Sequence, residues 1–256
     1  MKKMYTEYYK EYSYNLDRDM EFKVYGHAGI PFIVFPCQDG KFYDFENEGM
    51  VDTVANFIEE GRMQLFSIQS IDDECWSGWW DQHDRIMWHE QWFKYVTDEF
   101  VPMMYEIHNT LANEDYQGPI YLTGASMGGY HCVNFLLRRP DIFKGCLSLS
   151  GLFHAGYFFP NYNDETIYYN SPVDYLPNMG EDNPLVDMYR QCDINVCCGQ
   201  GAWEDEAKVD ARILADQFDR LHVPANIDLW GYDVVHDWPW WRIQFPYFVE
   251  KILNHA

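Results

Sequence analysis

The chain of 256 residues carries 41 acidic against 18 basic side chains, a formal net charge of −23, and 47% of its residues are hydrophobic. This length and hydrophobic fraction suit one large domain, and a charge of this sign repels nucleic acid phosphates and anionic membrane surfaces. We therefore expect a single domain over residues 1–256 that binds neither a nucleic acid nor a membrane.

The sequence shows no signature of a membrane anchor, a disulfide framework or a metal site. No stretch approaches the roughly 20 apolar residues that span a bilayer, and the N-terminus lacks the apolar segment of a signal peptide. The seven cysteines are odd in number, and several lie in apolar runs such as Gly145–Leu149, which indicates buried free thiols. No C-x-x-C or H-x-x-x-H spacing occurs. For a complete gene product, these features predict a cytoplasmic protein without a bound metal.

Short apolar, β-prone runs alternate along the chain with segments of helical periodicity. The first 25 residues resemble an antiparallel hairpin. The later runs show little internal alternation, which is typical of strands buried on both faces. The order of strand then helix predicts an α/β fold, with a mostly parallel central sheet, helices on both faces and an antiparallel N-terminal edge. The predicted strands are 30–36, 63–68, 120–123, 146–150, 194–198 and 227–231, and the predicted helices are 50–60, 88–113 with an interruption at Pro102, 127–139 and 206–221.

Two irregular, aromatic-rich segments are predicted to be lid insertions, at 75–92 and 153–180. Long irregular insertions in compact domains are often binding loops. Tryptophans at helical spacing in the first segment also suit a core position. In the second segment, Phe153–Pro160 would suit a contact between copies of the chain if it were exposed, so a homo-oligomer is possible. Aromatic faces stack on sugars and planar rings, which makes three tryptophans candidates for substrate binding: Trp76, Trp203 and Trp238.

The motif Gly124–Gly128 reads G-x-S-x-G and joins a β-prone run to a helical segment. In that setting a serine sits on a sharp, strained turn, and small residues two positions away let strand and helix approach it. Ser126 is therefore the predicted nucleophile. Because a helix starts at this point, free backbone amides face the serine, and the amide of Met127 is the first candidate for an oxyanion hole.

A serine hydroxyl is a weak nucleophile until a base takes its proton. If the triad follows the order serine, acid, histidine, only His236 and His255 lie late enough in the chain. His236 follows a predicted strand and precedes the last helical run, whereas His255 is the penultimate residue. His236 is therefore the predicted base.

The acid that orients the base should lie after the predicted strand 194–198. Three carboxylates follow it, and Glu206 falls inside the next predicted helix. The choice is thus between Glu204 and Asp205, and spacing alone does not decide it. Acids at the start of a helix also interact favourably with its dipole, which is the simpler explanation for the others.

Several segments together resemble the esterase D branch of the α/β-hydrolases, a group that includes S-formylglutathione hydrolases, feruloyl esterases and mycolyltransferases. The resemblance covers nearly the whole chain and implies an α/β-hydrolase fold, a triad of serine, acid and histidine, and no cofactor. The segments are Gly124–Tyr130, Arg139–Phe143, Leu147–Gly151, Cys198–Gly201 and His236–Trp241.

The resemblance also implies an oxyanion hole completed by an amide early in the chain. The Gly-x step of the family maps onto Gly40 and Lys41, so the amide of Lys41 is the second oxyanion candidate, with Gln38 as the fallback. Many members place an Asp after the later strand in a G-x-x-D pattern, and this sequence has no acid at that position. Alignment with members that use Glu favours Asp205, whereas Glu204 has the longer reach, and we prefer Glu204 while keeping both.

These features predict a serine esterase that hydrolyses a small-molecule ester through an acyl-enzyme on Ser126. Small acyl esters and sugar or aromatic esters all suit the aromatic composition. Two alternatives stay open at this point. The same triad serves acyltransferases, in which an alcohol or a thiol replaces water. A non-catalytic carbohydrate-binding module would use the tryptophan-rich surface instead.

Overall fold

The computed structural model describes residues 4–160 and 164–255. Within them, eight strands form one sheet in the order β1-β2-β4-β3-β5-β6-β7-β8. The pair β1 and β2 is an antiparallel hairpin, β2 is antiparallel to β4, and every later pair in the sheet order, from β4 with β3 to β7 with β8, is parallel. The predicted sheet and its antiparallel edge are confirmed. The strands are β1 Thr6–Ser13, β2 Arg18–Tyr25, β3 Ile30–Phe35, β4 Met63–Ile68, β5 Ile120–Ala125, β6 Phe143–Leu149, β7 Asp193–Cys198 and β8 Ala225–Leu229.

Helices cover both faces of the sheet, and each face has its own hydrophobic core. Strand β3 shows the division, because Ile33 and Phe35 pack in one core cluster while Phe32 and Val34 pack in the other. Strands buried on both faces explain the continuous apolar runs in the sequence. The helices are α1 Asp44–Asn47, α2 Ala55–Glu59, α3 Gln82–Lys94, α4 Val101–Ala112, α5 Met127–Arg138, α6 Glu165–Tyr169, α7 Pro172–Tyr175, α8 Pro184–Tyr189, α9 Asp205–Arg220 and α10 Trp238–His255.

The predicted interruption at Pro102 takes the form of a change in helix type. A π-helical turn, Tyr95–Phe100, joins α3 to α4, and Pro102 lies in the first turn of α4. Proline is tolerated in a first turn because its missing amide hydrogen would have no intrahelical partner there. The interruption therefore lies in the π turn, just before Pro102, and not at the proline itself.

The two predicted lid segments have more regular structure than expected. Most of 75–92 belongs to α3, whose Trp92 is fully buried, so only the part before Gln82 is irregular. The segment 153–180 holds α6 and α7, and its residues 161–163 lie outside the described part of the chain. Whether either segment closes over a substrate stays a prediction. In the described residues, no helix is both long enough and apolar enough to cross a membrane.

Candidate active site

Ser126 occupies the turn between β5 and α5, which is the strand-turn-helix setting that the sequence predicts. Its backbone is strained, with φ 55° and ψ −121°, a conformation that a non-glycine residue rarely adopts. The neighbouring glycines allow close packing, because a Cβ at Gly128 would lie 2.3 Å from the carbonyl oxygen of Phe35. A Cβ at Gly124 would lie 2.7 Å from the same oxygen. The end of β3 therefore lies directly against the turn that carries the serine.

The amide of Met127, the predicted oxyanion donor, lies at the start of α5. The first intrahelical bond runs from the amide of Tyr130 to the carbonyl of Ser126, at 3.1 Å. The amide of Met127 precedes that bond, and no described side chain caps the start of α5. Unpaired amides at a helix start favour negative charge, so this donor suits a developing oxyanion.

The structure brings Glu204, and not Asp205, to the predicted base. Glu204 is fully buried, and its Oε2 lies 3.4 Å from Nδ1 of His236. The side chain of Asp205 is 79% exposed and pairs with Lys208 on the surface of α9. The difference follows from the helix start, since Glu204 is the capping residue before α9 and its carboxylate contacts Ser150 and His236, whereas Asp205 is the first residue of the helix.

Two further hydrogen bonds hold the carboxylate of Glu204 in place. Its Oε1 accepts from the hydroxyl of Ser150 at 2.6 Å and from the amide of Gly199 at 3.2 Å. Ser150 in turn accepts a bond from Nε1 of Trp241 at 3.0 Å. A buried carboxylate needs such partners, and these aim it at the imidazole.

The loop that carries His236 is fixed to the loop that carries Glu204. The amide of His236 donates to the carbonyl of Ala202 at 3.1 Å, and the imidazole packs edge-on against Trp241 with ring centroids 5.0 Å apart. Close approach requires glycine here, because a Cβ at Gly199 would lie 2.1 Å from the carbonyl oxygen of Val234. Base and acid are therefore parts of one packed unit.

Ser126 and the unit of Glu204 and His236 are both bonded to residues at the end of β6. The amide of Ser126 donates to the carbonyl of Leu149 at 2.8 Å, and Leu149 precedes Ser150, the partner of Glu204. No sequence pattern predicts a role for Ser150 or Trp241. A sequence signal exists for the position of Ser150, which ends the predicted strand 146–150 at the same sheet edge as Ser126. Trp241 lies in the segment that carries the family resemblance.

The prediction that the amide of Lys41 completes the oxyanion hole is wrong. This amide donates to Oδ2 of Asp44 at 2.8 Å, which closes a local turn at the start of α1. The fallback, Gln38, lies two residues closer to β3, in a turn where the amide of Gly40 donates to the carbonyl of Cys37 at 2.9 Å. Its amide therefore stays the candidate. Burial raises the pKa of Cys37 to about 12, so its thiol adds no negative charge here at neutral pH.

The three candidate tryptophans fall in different environments. Trp76 is 1% exposed and donates from Nε1 to Nδ1 of His89 at 3.0 Å, so the prediction that it contacts substrate is wrong. Its aromatic ring packs in the core instead. Trp203 is 84% exposed beside Glu204, and Trp238 is half-buried against Trp241 at the start of α10. Both stay candidates for substrate contact.

Two other expectations concern a contact between copies and a metal. Phe153 and Phe159 are buried, and Tyr157 is the large aromatic side chain exposed in that segment. A contact between copies through these phenylalanines is therefore not supported, and oligomerisation itself stays a prediction.

In residues 4–160 and 164–255, no group of three or more His, Cys, Asp or Glu side chains is placed to bind a metal ion.

The sheet order and the serine at the β5–α5 turn define an α/β-hydrolase fold. Solved structures agree over nearly the whole chain. A ferulic acid esterase is 16% identical, with a TM-score of 0.74 and 98% of each chain covered. S-formylglutathione hydrolase of Staphylococcus aureus is 15% identical, with a TM-score of 0.70 and 98% and 97% covered. MPT51 of Mycobacterium tuberculosis is 13% identical, with a TM-score of 0.74 and 98% of each chain covered. These identities show the shared fold.

The family follows from the sequence match. The family model described as "Putative esterase" matches residues 13–252, so the chain belongs to that family. No curated protein sequence matches the chain significantly. The protein is an esterase, as the G-x-S-x-G motif and the family resemblance predicted.

Proposed function

We propose that this esterase works through an acyl-enzyme on Ser126, with His236 as general base and Glu204 as the acid that orients it. The observation that carries the proposal is the contact between the buried carboxylate of Glu204 and Nδ1 of His236, on the same sheet edge as a serine held in a strained turn. An Nδ1–H donated to a carboxylate leaves Nε2 free to accept the proton of the serine hydroxyl.

The reaction then proceeds in two acyl transfers. The hydroxyl oxygen of Ser126 attacks the ester carbonyl while His236 takes its proton. The amides of Met127 and Gln38 stabilise the oxyanion, and the imidazolium returns the proton to the leaving alcohol. Water, activated by the same imidazole, releases the acid and restores the serine. All of these groups belong to the chain itself.

The substrate class proposed is a small acyl ester or a sugar or aromatic ester. The exposed indole of Trp203 beside Glu204 offers an aromatic face to such a group. One structure with the same fold is that of a ferulic acid esterase, which is consistent with an aromatic acyl group. The charge of −23 opposes the approach of anionic substrates, so we expect neutral esters to react faster.

Labelling with a fluorophosphonate, followed by peptide mapping, tests the nucleophile directly. The label is expected on Ser126, and Ser126→Ala is expected to lower kcat for p-nitrophenyl acetate by about 10⁴-fold or more. His236→Ala should act similarly, whereas the matched control His222→Ala removes a surface histidine and should leave activity unchanged. A Ser126→Ala protein that retains hydrolysis would refute the proposal. Products formed with added alcohols separate hydrolysis from acyl transfer to an acceptor.

A further inference from the structure

A second buried acid–histidine pair lies outside the proposed triad. Asp72 and His131 are both fully buried, and Nε2 of His131 donates to Oδ1 of Asp72 at 2.9 Å. Neither Oδ2 of Asp72 nor Nδ1 of His131 has a hydrogen-bond partner among the described residues. An apolar pair of similar volume would avoid the free energy cost of burying these groups. The hydrogen bond between them therefore needs an explanation other than stability.

The pair connects the helix of the nucleophile to the loop after β4. His131 lies five residues after Ser126 on α5, and its imidazole packs against Phe35, the last residue of β3, with ring centroids 5.7 Å apart. Asp72 lies four residues after the end of β4. Its side chain thus contacts α5 from a loop at the same sheet edge as Ser126.

The loop after β4 in turn holds the proposed oxyanion loop. The carbonyl of Asp72 accepts from the amide of Ser77 at 2.9 Å and from its hydroxyl at 3.0 Å. The hydroxyl of Ser77 also contacts Oδ1 of Asp39, the residue that follows Gln38. Asp39 has a positive φ of 57°, an unfavourable conformation that needs support from its surroundings. These contacts run without a break from α5 to the oxyanion loop.

The ring of His131 has little freedom to turn. Trp92 packs against it with centroids 4.9 Å apart, and His89 stacks on it at 5.7 Å with an angle of 18° between the planes. His89 is itself fixed by the indole of Trp76. Burial lowers the pKa of His89 well below its ordinary value, so the ring stacked on His131 is neutral. Asp72 therefore meets a donor of fixed direction.

We propose that Asp72, His131 and Ser77 are positioning residues for the oxyanion hole. By linking α5 to the loop after β3, they set the distance between the amides of Met127 and Gln38. Such donors must lie about 2.7–3.1 Å from the oxyanion, and a displacement of about 1 Å costs on the order of 100-fold in rate. The inference rests on the acyl transfer proposed for Ser126.

The test compares kcat and KM for p-nitrophenyl acetate. Ser77→Ala, at an exposed position, is expected to lower kcat about tenfold and to change KM less than about threefold. Asp72→Leu should lower kcat about 100-fold. Asp72→Asn keeps an oxygen acceptor for His131, so its kcat should be much closer to that of the wild type than the kcat of Asp72→Leu. A purely structural role would show no such split between kcat and KM and no such rescue.

Two controls match these changes in burial. His108→Gln removes a fully buried histidine of α4 that bonds Gln64 at 2.6 Å, and it should lower the melting temperature without lowering kcat. Thr110→Ala removes an exposed hydroxyl that donates to a carbonyl of α4 at 2.8 Å, as a match for Ser77→Ala. Neither residue contacts the loops of the site.

A double-mutant cycle gives the decisive result. If both residues act through one loop, the combined Ser77→Ala, Asp72→Leu protein should be no slower than Asp72→Leu alone. If Asp72→Leu does not fold, the exposed Ser77→Ala still tests the link. Unchanged kcat in Ser77→Ala and Asp72→Leu, with wild-type protein labelled at Ser126, would overturn this inference alone. Wild-type protein that is not labelled at Ser126 would overturn the proposed function.

Discussion

The two sides of the active site are both held by buried polar groups, but the connection to the reacting atoms differs. On the acid–base side, Glu204 contacts the imidazole of His236 directly. On the oxyanion side, Asp72 and His131 reach the loop of Gln38 only through Ser77 and its neighbour. In the proposed mechanism, the first arrangement acts through charge and the second through distance. Substitutions on the two sides should therefore lower kcat by different factors. Loss of charge should matter more on the acid–base side than on the oxyanion side.

Removing the charge on the acid–base side should have the largest effect. Glu204→Gln keeps the size of the side chain but favours the wrong imidazole tautomer, so kcat should fall by about 10³-fold or more. The measurement is steady-state hydrolysis of p-nitrophenyl acetate. The matched control is Asp205→Asn, at the adjacent exposed acid, which should stay within about twofold of wild type. The reverse ranking of these two variants would show that the adjacent acid is the triad member.

Asp72→Asn should lower kcat much less than Glu204→Gln. Both substitutions replace a buried carboxylate by an amide of the same shape. We expect a severe loss at position 204 and a mild one at position 72, because the former needs the charge and the latter needs only an acceptor. Equal losses would mean that Asp72 also acts through its charge.

A smaller effect is expected from the hydroxyl that supports Glu204. Ser150→Ala removes the 2.6 Å bond to Oε1, and a hydrogen bond to a charged group is worth about 1.5–3 kcal/mol. Because the bond to Gly199 remains, we expect kcat to fall about tenfold with little change in KM. The control is Ser148→Ala, a buried serine of β6 whose hydroxyl bonds the carbonyl of Gly129 instead. Equal kcat in both variants would argue against a role for Ser150.

The comparison also shows which features are readable from the sequence. The parallel strands and the turn at Ser126 leave local patterns, namely apolar runs and two glycines around a serine, and both are confirmed. The choice between Glu204 and Asp205 depends on a single residue, the start of α9, which determines which of two adjacent side chains is buried. Sequence-based helix boundaries are uncertain by more than that, so the spacing left the choice open.

The wrong predictions for Trp76 and Lys41 also depend on contacts that the local sequence pattern does not determine. Trp76 lies in an aromatic-rich, irregular segment, and contacts with residues distant in the chain, such as His89 and Tyr130, show that it belongs to the core. Lys41 fits the family pattern, but Asp44 accepts its amide hydrogen, and that acid three residues later was a local signal for a turn. The link from Asp72 to His131 spans 59 residues and leaves no pattern in the sequence.

The smallest expected effect concerns Trp203, which directly precedes Glu204 in the chain. Its indole is 84% exposed and its φ is 66°, a strained value for a large side chain. Trp203→Gly relieves that strain, so we expect the free energy of unfolding to rise by about 1 kcal/mol. If the indole stacks on substrate, the same change should raise KM a few-fold for aromatic esters, with kcat unchanged.

Denaturant unfolding and a panel of aromatic and aliphatic esters measure these two effects separately. Trp79→Gly is the matched control, since that indole is 91% exposed and the residue does not have a positive φ. It should neither stabilise the protein nor change KM. A stabilised Trp203→Gly protein with unchanged KM for every ester would mean that the strained backbone serves only to place Glu204 at the start of α9, beside His236. In that case the exposed indole makes no contact with substrate, and substrate selection lies elsewhere.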